Sequence, residues 1–213
     1  GGELHLVRGL LDEAGREAAA AAEREGWLGI STFKEPYRLE GKKTMGLEIA
    51  EAFDWSLPDV VLYPTGGGTG LVGIWKAFEE LEAMGWIGAE RPRMVCVQAE
   101  GCAPVVRALE AGAGRVERWE RAATIAAGLR VPNPYADRLI LRVVRESGGG
   151  GVKVTDDEIR SGQAELCRLE GILACPEGAA TVAGVRRWVA EGKLGADERI
   201  LLLNTGSGLK YLQ

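Results

Sequence analysis

Short, continuously apolar segments limit the folds open to this chain, and each is separated from the next by a stretch with helical character. The three clearest segments are Asp59–Tyr63, Met94–Gln98 and Arg199–Leu203. Strands that are apolar on both faces are typical of parallel sheets covered by helices on two sides. The sequence therefore predicts a three-layer α/β fold with a mostly parallel sheet, and a ligand site beyond the carboxyl ends of the strands.

The other elements are predicted from apolar periodicity and from capping residues. Thr155 precedes three acidic residues and predicts a helix N-cap, and Pro176 predicts the first turn of a helix that ends near Glu191. Further helices are predicted at Asp12–Arg24, Gly41–Ala52, Leu71–Met84, Pro104–Glu110, Ala122–Ala127 and Asp137–Glu146. Additional short strands are predicted at Leu4–Val7, Leu28–Phe33 and Val152–Val154.

The composition excludes several classes of function. The net charge is -5 and no segment is rich in Lys and Arg, so neither nucleic acid nor an anionic membrane is an expected partner. The apolar runs are far shorter than the ~20 residues of a membrane helix. The four cysteines lack CxxC spacing and His5 is the only histidine, so zinc binding and histidine-assisted nucleophilic catalysis are not expected. We expect reduced cysteines and a cytoplasmic location.

The most informative segment is the glycine loop, Thr65–Gly70, which follows a predicted strand and precedes a predicted helix. Consecutive glycines let backbone N–H groups turn toward one centre, and the positive end of a helix dipole lies at the same place. A phosphate would fit there, with the hydroxyls of Thr65 and Thr69 as further donors. The loop matches neither a Walker A motif nor a dinucleotide fingerprint. A glycine-rich turn that only lets the helix pack on the sheet explains the spacing equally well.

A second loop of this kind, the C-terminal loop Asn204–Gly208, follows the last predicted strand. Thr205 and Ser207 offer neutral hydroxyls, which suit an aromatic ring nitrogen that must stay unprotonated. An ordinary C-terminal turn is the simpler explanation for this loop alone. Two such loops at strand ends of one sheet favour a ligand site more than either does separately.

Four blocks together resemble the threonine synthase family. These blocks are Glu35–Thr44, Tyr63–Leu71, Cys175–Thr181 and Asn204–Lys210. They occur in the family's order and cover nearly the whole chain. The resemblance implies a pyridoxal-phosphate (PLP) enzyme of fold type II, which is similar to the tryptophan synthase β subunit. It also implies a phosphorylated amino acid as the small-molecule substrate, namely O-phospho-L-homoserine, which is converted with water to L-threonine and phosphate.

The resemblance also implies roles for individual residues. In the family the glycine loop binds the PLP phosphate, and that role falls here on Gly66, Gly67, Gly68, Thr69 and Gly70. The threonine of the family's final motif, here Thr205, meets the pyridine nitrogen. An arginine in the first block binds the substrate phosphate, and it corresponds to Arg38. A guanidinium suits a phosphate, although a structural ion pair would explain Arg38 equally well.

The family's Schiff-base lysine has no counterpart among the motifs found here, so no catalytic residue is assigned. Because the chain opens with Gly1 and runs directly into an apolar segment, we expect it to be truncated at the N-terminus. Residues 1–35 are then a remnant of the smaller domain, and residues 36–213 are the C-terminal part of the large PLP-binding domain. The intact protein is expected to form a homodimer.

Three alternatives remain open from the sequence. Lys34 and Glu35 stand where many relatives carry a polar, asparagine-containing pair, which leaves the substrate open. A cysteate synthase-like enzyme or another type II PLP enzyme is one alternative, although a threonine or serine dehydratase would be expected to carry a different final hydroxyl motif. A non-catalytic phosphate-binding fragment is the alternative from a different class.

Overall fold

The parallel sheet is the centre of the fold. A computed structural model describes residues 2–212 and contains one four-stranded sheet in the order β3-β2-β1-β4. The strands are β1 (Val60–Pro64), β2 (Arg93–Ala99), β3 (Gly150–Val154) and β4 (Ile200–Leu202). Every neighbouring pair is parallel, and all residues of β1 are buried. The α/β fold with a parallel sheet is therefore confirmed.

Helices cover both faces of the sheet. They are α1 (Leu11–Glu25), α2 (Tyr37–Ala52), α3 (Thr69–Ala83), α4 (Pro104–Glu110), α5 (Asp137–Glu146), α6 (Asp156–Glu170) and α7 (Pro176–Ala190). Alternate residues of β1 enter different apolar clusters: Val61 and Tyr63 pack with α2 to α5, whereas Val60 and Leu62 pack with α6 and α7. The continuous apolar character of the strand is explained by this two-sided burial.

The N-terminus of α6 confirms the predicted cap. The Thr155 hydroxyl accepts a hydrogen bond from the Glu158 N–H at 3.1 Å, and the Thr155 N–H donates to Glu158 Oε2 at 2.7 Å. The guanidinium of Arg187 on α7 also donates to the Glu158 carboxylate, which lowers the pKa of Glu158. One carboxylate thus caps α6 and holds it against α7.

Helix α2 lies on α3 at a close crossing that requires small residues. A methyl group added at Gly46 would lie 2.5 Å from the Ala77 Cβ, and one added at Gly73 would lie 3.1 Å from the Lys42 carbonyl carbon. Around the crossing Lys43 contacts Glu40 at 2.9 Å and Glu80 at 2.7 Å, and Lys76 contacts the same two acids. These pairs are partly exposed, so the glycine contact dominates the packing.

Three predicted elements are absent from the structure. Leu4–Val7 forms no strand, and Leu4 and Leu6 are 81% and 88% exposed. Leu28–Phe33 contributes only an isolated bridge between Thr32 and Glu35. In both cases the described chain offers no neighbouring strand to accept the ladder hydrogen bonds. The predicted helix Ala122–Ala127 is irregular chain that leads into a short 3₁₀ turn, Ala127–Leu129.

The element boundaries differ modestly elsewhere. Helix α2 begins at Tyr37 rather than Gly41, and β3 begins at Gly150 rather than Val152. No residue between positions 2 and 45 is buried. The domain boundary placed after residue 35 stays a prediction.

Two further observations concern the described chain as a whole. Within residues 2–212, no helix combines the length and the apolar character needed to cross a bilayer. The same part of the chain holds its cysteines as free thiols, and three of them, Cys96, Cys102 and Cys175, are buried.

The α2–α3 crossing generates a stability prediction. Gly46→Ala should lower the free energy of unfolding by about 1–3 kcal/mol, because its methyl group overlaps Ala77 in a packed interface. Gly41→Ala on the same helix is the matched control, since no atom lies within 4 Å of the added methyl group. It should raise stability by about 1 kcal/mol through helix propensity. Urea unfolding followed by circular dichroism measures both, and equal stabilities for the two variants would contradict the crossing.

Candidate functional site

The glycine loop begins at the carboxyl end of β1 and is anchored by Thr65. The Thr65 N–H donates to the Val97 carbonyl at 2.8 Å, and its hydroxyl donates to the Tyr63 carbonyl at 2.9 Å. The residue is fully buried. The expectation that the Thr65 hydroxyl faces an anion is therefore wrong, because the hydroxyl is already used to hold the loop against the sheet.

Gln98 fixes the same loop from the neighbouring strand. Its amide Nε2 donates to the Thr65 carbonyl at 3.0 Å, and its Oε1 accepts hydrogen bonds from the N–H groups of Val105 at 2.9 Å and Val106 at 3.0 Å. The side chain is fully buried, so each of these hydrogen bonds avoids the free-energy cost of a buried polar group without a partner. Gln98 thus ties the start of the loop to the first turn of α4.

The amides that follow Thr65 remain free. Within residues 2–212, none of the N–H groups of Gly66, Gly67, Gly68, Thr69 or Gly70 donates to a protein acceptor. Gly68 is the N-cap of α3 with φ +78°, and the helix begins at Thr69. The first N–H groups of a helix carry its positive dipole end. The loop therefore presents unpaired donors and a favourable field for an anion at one place.

The space around the loop is tight at its sides and open at its middle. A methyl group at Gly66 would overlap the Gly128 carbonyl oxygen, one at Gly68 would overlap the Ile140 side chain, and one at Gly70 would overlap the Tyr63 hydroxyl. A methyl group at Gly67 meets nothing within 4 Å. The three tight glycines are required by packing, whereas Gly67 borders open space. This geometry fits a phosphate group held by backbone amides.

The C-terminal loop lies beside the glycine loop, because β4 is the parallel neighbour of β1. It is held against the start of α7, where the Cys175 N–H donates to the Gly206 carbonyl at 2.9 Å. Cys175 caps α7 by accepting from the Gly178 N–H at 3.4 Å. Burial raises the pKa of the Cys175 thiol, and Thr205 is exposed. Thr205 thus precedes a residue, Gly206, that is held by the cap of α7.

A short connection joins the two loops. The Gly128 carbonyl lies against Gly66, and the Gly128 N–H donates to Glu177 Oε1 at 2.7 Å. The Tyr211 hydroxyl donates to the same Oε1 atom at 2.7 Å. Sequence reasoning missed Gly128, Glu177 and Tyr211. Glu177 alone left a signal, as an acid in the first turn of a helix that starts with Pro176.

Arg38 lies in the first turn of α2. Its side chain is exposed, and Nη1 donates to the Ile30 carbonyl at 3.3 Å. Its backbone N–H donates to the Glu35 carboxylate at 3.2 Å. Within the described chain the Arg38 guanidinium forms no ion pair. The alternative of a structural ion pair therefore has no support, and the guanidinium stays available to an anionic group.

The fold and the free amides of the glycine loop indicate an anion-binding α/β protein, and comparison with known proteins identifies its class. Residues 1–206 match the family described as pyridoxal-phosphate dependent enzyme. The chain belongs to that family, and its cofactor is PLP. The residues present fit this group, because the free amides and the open space at Gly67 meet the needs of its phosphate.

The relatives are more specific. The chain is 38% identical to the threonine synthase of Methanosarcina acetivorans and 36% identical to that of Methanocaldococcus jannaschii, each over 99% of this chain and 51% of the relative. The threonine synthase of Halalkalibacterium halodurans is 31% identical over 99% of this chain and 56% of the relative. The chain thus spans about half the length of the curated relatives it matches.

Solved structures agree on the fold. The T.th. threonine deaminase is 26% identical, with a TM-score of 0.70 over 88% of this chain and 64% of that chain. Maize serine racemase is 20% identical, with a TM-score of 0.74 over 99% of this chain and 62% of that chain. These neighbours are fold type II PLP enzymes, which confirms the predicted fold class.

The two kinds of glycine in the loop generate a prediction. Gly68→Ala should lower the free energy of unfolding by roughly 2 kcal/mol or more, because φ is +78° and the methyl group overlaps Ile140. Gly67→Ala is the matched control and should change it by less than about 0.5 kcal/mol, since the methyl group enters open space. Chemical denaturation of both variants measures the difference, and a destabilised Gly67→Ala would show that the middle of the loop is packed.

Proposed function

We propose that the protein to which this chain corresponds is a threonine synthase, which converts O-phospho-L-homoserine and water to L-threonine and phosphate. The support is the similarity to three threonine synthases over 99% of the chain. The structural observation that carries the proposal is the row of free amides from Gly66 to Gly70 beside the open space at Gly67. A PLP phosphate is the group that this cradle accepts.

The proposed roles in cofactor binding follow from the donors. The amides of Gly66, Gly67, Gly68, Thr69 and Gly70 hold the phosphate, aided by the dipole of α3. The Thr205 hydroxyl faces the pyridine nitrogen as a neutral group and leaves that nitrogen unprotonated. When bound, PLP supplies an electron sink for the substrate carbanion. The chain itself contributes orientation and electrostatic stabilisation.

The cradle generates a binding prediction. Gly67→Ala should weaken PLP binding by about tenfold, because its methyl group occupies the open space before the amides while the fold stays intact. Equilibrium titration of the full-length protein with PLP, and competition by inorganic phosphate, measure the effect. Gly41→Ala serves as the control and should bind PLP normally. Unchanged affinity in Gly67→Ala would place the phosphate elsewhere.

No lysine of this chain is proposed to hold the cofactor covalently. Hydrogen bonds to Glu80 and Glu40 raise the pKa of Lys43 and Lys76, so both amines stay protonated. Lys153 and Lys193 are paired with Glu110 at 3.1 Å and with Glu191 at 2.6 Å. The other three lysines, Lys34, Lys42 and Lys210, are exposed. We therefore propose that the Schiff-base lysine lies in the half of the longer relatives that this chain does not match.

This assignment has a direct chemical test. The 213-residue chain mixed with PLP and reduced with borohydride should yield no stoichiometrically modified lysine in peptide mass spectrometry. The full-length protein treated identically should yield one modified lysine outside the matched half. Stoichiometric labelling of any of the seven lysines would overturn the assignment.

Arg38 is proposed to bind the substrate phosphate. Its guanidinium forms no ion pair within the described chain, which leaves its donors available for a phosphate oxygen. Arg38 lies in the first turn of α2, and Lys42, one turn further along, lies against Gly73 of α3. Phosphate departure would then be stabilised by a positive group on the chain.

Arg38 is tested by kinetics on the full-length protein. Arg38→Gln should raise the KM for O-phosphohomoserine by roughly 10–100-fold, because a charge-assisted hydrogen bond is lost. Arg160→Gln removes another exposed arginine, on α6, and should behave as wild type. An unchanged KM for Arg38→Gln would remove Arg38 from the site.

The alternatives separate on substrate. Full-length protein given O-phosphohomoserine should release phosphate and threonine in equal amounts. Product from O-phosphoserine with sulfite would instead indicate a cysteate synthase-like enzyme, and deamination of threonine would indicate an enzyme like the structural neighbours. PLP binding without turnover of any of these substrates would support the non-catalytic alternative.

Three coarser features complete the proposal. We place residues 1–35 in the smaller domain and residues 36–213 in the large PLP-binding domain. Free thiols in the described chain suit a cytoplasmic enzyme. A homodimer is the proposed assembly, and sedimentation of the full-length protein tests it.

A further inference from the structure

We propose that Glu177 is a positioning residue that locks the glycine loop and the C-terminal loop into one arrangement, so that the two ends of the cofactor are held at a fixed separation. The inference rests on the proposed roles of both loops in cofactor binding. It assigns to Glu177 no contact with the cofactor or with the substrate. Its action is carried entirely through two neighbours, Gly128 and Tyr211.

The first arm runs from Glu177 to the glycine loop. Gly128 donates its N–H to Glu177 Oε1 at 2.7 Å, and the carbonyl of the same residue lies directly against Gly66. Contact is close on both sides, because an added methyl group at Gly128 would lie 3.0 Å from Glu177 Oε1 and one at Gly66 would overlap Gly128. A shift of the Glu177 carboxylate therefore moves Gly128, which contacts Gly66 at the start of the phosphate-binding amides.

The second arm runs from Glu177 to the C-terminal loop. The Tyr211 hydroxyl donates to Glu177 Oε1 at 2.7 Å. Tyr211 ends a short 3₁₀ turn, Gly208–Tyr211, which follows the loop that carries Thr205. The start of that turn is fixed by the Gly208 N–H, which donates to the Leu173 carbonyl at 2.8 Å. The chain on the C-terminal side of Thr205 is thus held at Gly206 by the Cys175 N–H and at Tyr211 by Glu177.

The convergence of both arms on one atom is what couples the loops. Two donors from distant parts of the sequence share Oε1 of a carboxylate that is 8% exposed. Glu177 lies in the first turn of α7, where the helix dipole favours a negative charge. Charge-assisted hydrogen bonds are stronger than neutral ones, so the two donors are held firmly. If one of the two hydrogen bonds is lost, the Glu177 carboxylate can shift toward the remaining donor. The loop supported by that remaining donor then shifts as well.

A merely structural Glu177 would behave differently. If the side chain only stabilised the fold, its replacement would lower the melting temperature and leave ligand affinities unchanged well below that temperature. A positioning role predicts a non-local effect instead. Tyr211→Phe removes a hydroxyl on the C-terminal side, yet it should weaken the binding of inorganic phosphate at the glycine loop.

The experiment uses the full-length protein and five variants. Glu177→Met removes both hydrogen bonds, Glu177→Gln keeps an acceptor oxygen at the same place, and Tyr211→Phe removes one bond. Glu191→Met replaces an exposed acid at the other end of α7, and Tyr135→Phe replaces an exposed tyrosine; both are controls.

Affinities for PLP, for pyridoxal without phosphate and for inorganic phosphate are measured by titration. Hydrogen exchange of residues 126–131 and 206–212 is followed by mass spectrometry in the absence of any ligand.

The expected results are specific to each variant. Tyr211→Phe should weaken inorganic phosphate binding roughly fivefold, the equivalent of one hydrogen bond, and Glu177→Met should weaken it more. Glu177→Gln should recover most of the affinity. Exchange should accelerate in both segments in Glu177→Met and in neither segment in the controls.

The outcomes that overturn the proposal are also distinct. If Glu177→Met accelerates exchange in only one segment, or if Tyr211→Phe leaves inorganic phosphate affinity unchanged, the two loops are not coupled through Glu177. If wild-type protein binds neither PLP nor phosphate, the cofactor assignment to these loops fails. The exchange measurement needs no ligand, so it still decides whether Glu177 couples the loops.

Discussion

The site depends on five backbone amides that the protein leaves without acceptors. Hydrogen-bond donors at a helix start are normally satisfied by a capping side chain, yet the N-cap of α3 is Gly68, which has no side chain to offer. The hydroxyl of Thr65, at the start of the loop, does not satisfy them, because it donates to the Tyr63 carbonyl instead. The donors therefore stay without a protein acceptor in the described chain, which suits them to an anion.

The rest of the fold keeps this loop rigid. β1 lies in the middle of the sheet and is buried on both faces, so the strand that delivers the loop cannot shift. Gln98 fixes the loop from β2, and Gly128 supports it from the side of α7. Preorganised donors cost no rearrangement when the ligand arrives. The sheet and its neighbours thus hold the glycine loop in place before any ligand arrives.

The sequence was informative where local chemistry decides the structure. Continuous apolar residues in Asp59–Tyr63 and Met94–Gln98 predicted buried parallel strands, and Thr155 predicted a cap that the structure contains. It was misleading where an apolar run lacks a partner: Leu4–Val7 has strand composition, but the hydrogen bonds of a strand must come from a neighbour. The connection through Gly128 and Glu177 could not be predicted, because residues 49 positions apart meet only after the sheet and α7 are in place. The inward turn of the Thr65 hydroxyl likewise depends on strand geometry and not on residue type.

The free amides of the glycine loop have a consequence for the abundance of the protein. The amides are arranged for an anion only in the native state, because an unfolded chain gives them to water. A phosphate that binds the native state therefore adds its binding free energy to the free energy of unfolding. By mass action a ligand present at a hundred times its Kd contributes about 2.7 kcal/mol. Occupancy of the cofactor site would then influence how many molecules survive proteolysis as well as how many hold PLP.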